Sequence, residues 1–378
     1  MLQARKLTGA VLIVAASEQS PAMRYATPFT AHDPFICCIW RGKRRLVVST
    51  MELRRARRED RNAIVMTPED LRLPREDRRR LSGWVRGLLR KIRCRSVVVA
   101  ADFPLGIARE MEQHGVRVHI DPDGLFKERA IKNSREVRAI TGSQRAAVAG
   151  MRTAVAMIRA ARIGRDGILK HGGRPLTSER VRRAIHLTLQ MHDCLGVDTI
   201  VAGAAQSADP HCAGVGPLKA GTPIVIDIFP RSLVTGYWGD ITRTVFKGTI
   251  PAPWRRILAA VKAAHACALA QVRAGVHTTT VHRAAADELD RRGYKRQTIH
   301  GCPAGFIHGT GHGVGLEIHE APSVSSGKPV RLRPNHVITI EPGLYYPGRG
   351  GVRIEDLVFV TRHGCRCPAT YHPLCNVP

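Results

Sequence analysis

Over roughly the first 130 residues, short β-rich apolar runs alternate with stretches whose apolar positions recur at helical spacing. Ala10 to Ala16, Phe35 to Trp40, Leu46 to Ser49, Val97 to Ala101 and Val116 to Ile120 read as strands. Glu76 to Ile92 and Pro104 to His114 read as helices, with Gly115 at a stop position after the second. This alternation predicts a small α/β domain. Arg5 and Lys6 ahead of the apolar run Gly9 to Ala16 imitate a signal peptide, but the run is short and rich in Val, Leu and Ile, which suits a first strand.

The pattern changes at Lys132-Asn133-Ser134, where a long helix opens with Ser134 as N-cap and Glu136 in its first turn, continuing to about Ala161. The domain boundary is placed there, giving residues 1–131 and 132–378. A second helix, capped at Thr177, runs to about Cys194; two more run from Pro253 to Arg273 and from Thr280 to Arg292, with Gly275 and Gly293 as stops. Two β-segments among these helices resemble each other. Thr222 to Asp227, a loop, then Gly239 to Val245 form the first; His336 to Gly343, a glycine-rich loop, then Gly351 to Val358 form the second. Each is an apolar strand ending in an acid, a return loop, and a second strand with an acid near its start, so the second domain reads as an internal repeat with two helices per copy.

Strand alternation places Asp227 opposite Ile224, Ile226 and Ile228, and Glu341 opposite Ile338 and Ile340, while Arg353 and Glu355 share a face. Singly, such acids usually cap strands or meet solvent. Four of them (Asp227, Asp240, Glu341, Glu355) among apolar strands would repel one another if buried, unless cations neutralised them. A further segment, HGTGHGVGLEIHE from His308 to Glu320, carries three histidines among four glycines. The glycines, at about 1 kcal/mol each in a helix interior, argue against a helical zinc motif. No dinucleotide-loop spacing closes either. The segment is expected to be extended, its backbone close to a neighbour. Two divalent ions would balance the four carboxylates, with His312 completing the set. Oxygen-rich ligation with one imidazole favours Mn(II), Co(II) or Fe(II) over a structural zinc site. Paired metals about 3.5–4 Å apart hold a bridging water, lower its pKa and polarise a carbonyl, which makes a hydrolase site.

Composition adds less. A hydrophobic fraction of 44% with 24% charged residues is globular, and no apolar run approaches the roughly 18 residues of a membrane span. The ten cysteines are scattered: Cys37 and Cys38 adjoin, and Cys365 and Cys367 have no second pair at zinc spacing, so reduced thiols in a cytoplasmic protein are expected. The net charge of +28 concentrates between Arg41 and Arg95, where 19 Lys or Arg face seven acids. With Trp84 the one aromatic in that span, stacking on single strands has no platform, and the span reads as a solvated face with at most nonspecific affinity for nucleic acid.

The segments DIFPRSLVTGYWGDITRT, HGTGHGVGLEIHE, EPGLYY and GVRIED resemble the pita-bread metallopeptidases, namely Xaa-Pro aminopeptidases, prolidases and, more distantly, methionine aminopeptidases. The similarity runs from about Lys132 to the C-terminus. MRYATPF, Met23 to Phe29, is similar to the creatinase/prolidase-type N-terminal domain. The resemblance implies an α/β N-terminal domain followed by an α+β pita-bread catalytic domain with a pseudo-twofold repeat. It implies that Asp227 holds one of two divalent metals, Asp240 and Glu355 bridge both, and His312 and Glu341 hold the second, with Glu341 also a proton shuttle for a bridging hydroxide. It further implies substrate-facing roles for His211 and His319, proline-directed positions at His308 and Tyr345, and support of the carboxylates by Arg353. The expected activity is cleavage of the Xaa-Pro bond in dipeptides or at the N-terminus of longer peptides. Manganese is the first choice of metal, with cobalt, iron or zinc behind it, and a homodimer with no membrane association is expected. The loop between Asp227 and Asp240, containing Arg231 to Gly236, is slightly longer than in the best-known members and is read as a hairpin insertion. The alternatives are a creatinase-like or other amide hydrolase, a methionine-aminopeptidase-like enzyme, and a metal-free pseudo-peptidase that binds nucleic acid or protein.

Overall fold

The computed structural model describes residues 9–372 and 375–377; Arg5 and Lys6, the basic pair that imitated a signal peptide, lie outside them. The chain divides into two compact units between Arg129 and Ala130.

The first unit is built on six strands, β1 (Ala10–Ala15), β2 (Phe35–Trp40), β3 (Lys43–Val47), β4 (Ile64–Met66), β5 (Ser96–Ala100) and β6 (Arg117–Asp121), in the order β4-β3-β2-β1-β5-β6. Its helices are α1 (Pro21–Ala26), α2 (Leu53–Glu59), α3 (Leu81–Lys91) and α4 (Leu105–Gln113). Strand alternation gives the sheet two apolar faces. Leu12, Val14 and Cys38 pack with Val85, Leu88 and Met111 of α3 and α4, whereas Ile13 and Cys37 pack with Met23 and Ala56 of α1 and α2. Two expectations need correction. The sequence pattern did not reveal β4. The helix expected from Glu76 is broken: Arg75–Asp77 form a 3-10 turn and α3 starts at Leu81. The cause is Asp77, which folds back to take an ion pair from Arg86 instead of continuing the helix.

In the second unit α5 (Ser134–Ala160) is capped by Asn133 rather than Ser134. The Asn133 side chain accepts from the Arg135 and Glu136 amides, and the Glu136 carboxylate accepts from the Asn133 amide, a closed capping box. Helix α6 (Ser178–Gln190) is capped by Thr177, as expected, but ends before Cys194, which belongs to a short strand. Helices α7 (Ala252–Gln271) and α8 (Thr278–Arg291) follow. Strands β7 (Ile200–Gly203), β8 (Ile224–Ile228) and β9 (Ile241–Lys247) form one antiparallel set. A second sheet contains β10 (Gly311–Gly313), β11 (Glu320–Val324), β12 (Val337–Ile340) and β15 (Asp356–Val360), with the ribbon β13 (Gly343–Tyr346) and β14 (Gly350–Arg353) between β12 and β15 in sequence.

Each half has its own core. Ile224, Ile226 and Ile228 meet Met151, Val155, Val181 and Ile185 of α5 and α6; Ile338, Ile340 and Val358 meet Val261, Ala264, Val281 and Ala285 of α7 and α8. A helix pair covering an antiparallel strand pair therefore occurs twice, and the opposite strand faces carry the acids. The glycines of the histidine segment serve close backbone approach. A Cβ on Gly311 would collide with the Thr339 carbonyl oxygen, and one on Gly313 with that of Ala321. Among the described residues no helix is long and apolar enough to cross a membrane.

Candidate metal centre

A cavity of about 660 Å³ opens in the second unit, and nine of the ten residues singled out from sequence line it: His211, Asp227, Asp240, His308, His312, His319, Glu341, Arg353 and Glu355. The tenth, Tyr345, is fully buried and reaches the site through Arg353. Asp227 is on β8, Asp240 enters β9, His312 is the middle residue of β10, Glu341 follows β12, and Glu355 sits between β14 and β15. Both sheets thus deliver acids from strand ends to one place.

The side chains are held individually. Gln144 of α5 accepts from the Asp240 amide at 2.7 Å and donates to its carbonyl at 2.9 Å, so Asp240 is fixed by its backbone and its carboxylate is left to the cavity. The Thr242 hydroxyl donates to Glu355 Oε2 at 2.7 Å. Thr339 accepts from the His312 amide at 3.1 Å and donates to Glu341 Oε1 at 3.0 Å. Arg353 Nη2 donates to Asp227 Oδ2 at 2.8 Å, while the buried Asp227 Oδ1 has no partner. Arg353 Nη1 donates to Tyr345 Oη at 2.8 Å, and Tyr345 lies 2.9 Å from His308 Nε2. Because His308 Nδ1 faces the Gly309 carbonyl at 2.6 Å and must donate to it, Nε2 is the acceptor, and the bonds run in one direction from Arg353 to Tyr345 to His308. Arg353 Nη1 also donates to the Pro210 carbonyl at 3.3 Å, next to His211. His319 stacks edge-on against His312, ring centres 4.2 Å apart.

The electrostatics of this group are unfavourable without a cation. Burial, then the charges of Glu355, Asp227 and Glu341, push the Asp240 carboxyl well above its ordinary range. Burial, followed by Glu341 and Asp227, likewise raises Glu355, to about 8. Burial also raises Asp227 although Arg353 opposes it. For Glu341 the effect of burial is outweighed by its hydrogen bond to His312 and the positive charges around it, and the net direction is down. The protein's own cations therefore satisfy some of the carboxylates, and an excess of negative charge remains.

A divalent cation fits that excess. Donor atoms of Asp240, His312 and Glu355 lie within 4.8 Å of one another, and they are the one such group among the described residues. Asp227 and Glu341 stand beside it, engaged through one oxygen each by Arg353 and His312. The His312 ring is oriented as a metal ligand needs: Nδ1 donates to the Gly313 carbonyl at 3.1 Å, which leaves Nε2 aimed at the carboxylates, 3.1 Å from Glu341 and 3.7 Å from Asp240.

Sequence reasoning missed Gln144, Thr242 and Thr339. Thr242 and Thr339 were legible in principle, because each lies two residues from an acid and so shares its strand face. Gln144, 96 residues before Asp240, had no local signal.

The family model for metallopeptidase family M24 matches residues 138–362. The chain is 38% identical over 170 residues to an Xaa-Pro dipeptidase of Pyrococcus furiosus, which is 45% of this chain and 46% of that protein. It spans about half the length of the first curated relatives it matches. Among solved structures, prolidase from Pyrococcus furiosus superimposes with a TM-score of 0.78 at 23% identity, covering 97% of both chains. An X-Pro aminopeptidase from Thermotoga maritima gives a TM-score of 0.79 at 23% identity, covering 96% of both. At those identities the two superpositions speak for the fold, an N-terminal domain followed by the pita-bread domain.

Proposed function

The chain belongs to metallopeptidase family M24, and from that premise we propose that it is a metal-dependent exopeptidase hydrolysing the bond before proline, in Xaa-Pro dipeptides or at the N-terminus of longer peptides. The observation that carries the reading is the gathering of four buried or half-buried carboxylates and His312 around one cavity, with fewer protein cations than their charge requires. The dipeptidase of Pyrococcus furiosus supplies the substrate class by similarity. Ten free thiols fit a reducing compartment, and we place the protein in the cytoplasm.

Asp227, Asp240, His312, Glu341 and Glu355 would hold two divalent ions, manganese for preference since the donors are mostly oxygen with one imidazole. When bound, such ions neutralise the carboxylates, lower the pKa of the attacking water and polarise the scissile carbonyl. The protein groups do the rest. Glu341 takes the proton of the attacking water and returns it to the proline nitrogen as the C–N bond breaks. His319 and His211, both exposed at the cavity, donate to the oxygen on which charge develops, an interaction stronger in the transition state than in the ground state. The run of bonds from Arg353 through Tyr345 fixes the His308 ring on the substrate side.

The test is a peptide screen with Mn(II). Alanyl-proline or alanyl-prolyl-alanine should be cleaved at the bond before proline, while alanyl-alanine and N-acetylated alanyl-proline should not. Equal cleavage of alanyl-alanine would remove the proline specificity, and turnover of the acetylated peptide would remove the requirement for a free N-terminus.

A further inference from the structure

The first unit contains a cavity of its own, of about 680 Å³, lined by α3, α4 and the turn 93–95 that leads into β5. Its walls belong to the core of that unit: Leu89 and Met111 are buried, and Ile107 and Val116 pack against them. One guanidinium in it is already neutralised, since Arg86 is paired with Asp77 and, at 2.9 Å, with Glu110. Three others are not. Arg90, Arg93 and Arg95 also line the cavity and are exposed, and among the described residues no carboxylate is paired with any of them. Arg90 reaches the Arg72 carbonyl at 3.4 Å, and no hydrogen bond is made by the side chains of Arg93 or Arg95 among the described residues. Arg93 in addition sits at φ 53, a backbone conformation that a bulky residue seldom adopts.

Three like charges around one opening repel one another, and an anion seated among them relieves the repulsion. Guanidinium groups match carboxylate and phosphate oxygens in a planar, two-bond geometry. The volume is that of a small-molecule pocket, and apolar walls with a few charged groups are what such pockets present. A nucleic-acid backbone would use the charges and leave the apolar concavity idle. We propose that this cavity binds a small organic anion, its carboxylate or phosphate head held by Arg90, Arg93 and Arg95 and its apolar body against Leu89, Ile107 and Met111. The proposal does not depend on the peptidase reading, because all its residues lie in the first unit.

Calorimetric titration of the full chain tests it with four probes. Phenyl phosphate and phenylacetate carry both charge and body, inorganic phosphate only the charge, and benzyl alcohol only the body. At least one of the two organic anions should saturate below about 1 mM, and bind about tenfold or more tightly than either partial probe; which one does so distinguishes a phosphate from a carboxylate ligand. Arg93→Glu with Arg95→Glu, at exposed positions, should weaken that binding about tenfold or more without changing the melting temperature. Ile107→Trp, which fills the cavity, should do so without touching a charge. No saturation with either organic anion overturns the proposal. So does inorganic phosphate binding as tightly as phenyl phosphate, which would mean surface charge alone. Binding that survives the double arginine variant belongs to another site and overturns it as well.

Discussion

At His312 and His319 the same side chain has two different surroundings. His312 has both ring nitrogens committed, Nδ1 to the Gly313 carbonyl and Nε2 toward Glu341 and Asp240. His319 touches that ring edge-on and otherwise faces the cavity. His319→Ala should therefore keep its metal and its fold and lose about a hundredfold in turnover, the usual cost of removing one donor to a developing negative charge. His312→Ala should lose metal affinity as well. Metal content and kinetics measured on the same preparations decide it; equal loss of metal in both variants would refute this division of the histidines. The acids were readable at this scale because each ends or begins an apolar strand in a repeated segment. The groups that fix them were harder to see. Gln144 reaches Asp240 from a helix that nothing in the local sequence connects to it.

Among the elements, β10 shows why a three-residue strand needs its glycines. Gly311→Ala would press a methyl group onto the Thr339 carbonyl, backbone against backbone, with no flexible side chain to yield. The strand must shift, at a cost of about 1–3 kcal/mol. A fall in the denaturant midpoint, together with weaker metal binding, is the expected outcome; an unchanged midpoint would show that the strand relaxes freely. The loop before β12 makes a pH-dependent contribution through His336. Burial, then the charges of Lys132 and Arg333, lower this imidazole to about 4, and its Nδ1 accepts from the Arg333 amide. In the unfolded chain it titrates near 6.5. The folded pKa is depressed, so this contribution is complete above about pH 6.5 and is lost as the pH falls toward 4. His336→Asn should remove roughly one proton from the pH dependence of stability in that window. An identical slope in the variant would mean that His336 titrates normally. Helix periods and most strands were legible in the sequence, whereas ends depended on particular side chains. Asn133 displaced Ser134 as cap because Glu136 is at the right distance to close the box, and Asp77 left its helix for Arg86.

For the molecule as a whole, the formal charge of +28 already counts every acid, so the excess is carried by the basic side chains that no acid pairs with. Within the basic span, Arg44, Arg55 and Arg86 are neutralised by neighbouring acids. Arg54, Arg57 and Arg61, along and just past α2, are exposed, with no such partner among the described residues. With Trp84 the one aromatic in the basic span, nucleic-acid binding is expected to be weak and to fall steeply with salt, and Arg54→Glu, Arg57→Glu and Arg61→Glu together should reduce it without altering peptide hydrolysis. Salt-resistant binding of one particular sequence would contradict this. Arg55 pairs with Glu52 and Glu59 at helical spacing, whereas the pairings of Arg44 with Asp60 and of Arg86 with Glu110 depend on which strands and helices adjoin and could not be read from composition. Metal-free protein titrated with Mn(II), with alanyl-proline hydrolysis followed at each addition, tests the proposed metal centre most directly. Hydrolysis should be absent at the start, rise with added metal and level off at two ions per chain. Full hydrolysis in the thoroughly metal-free protein, or none at any metal content, would contradict the account.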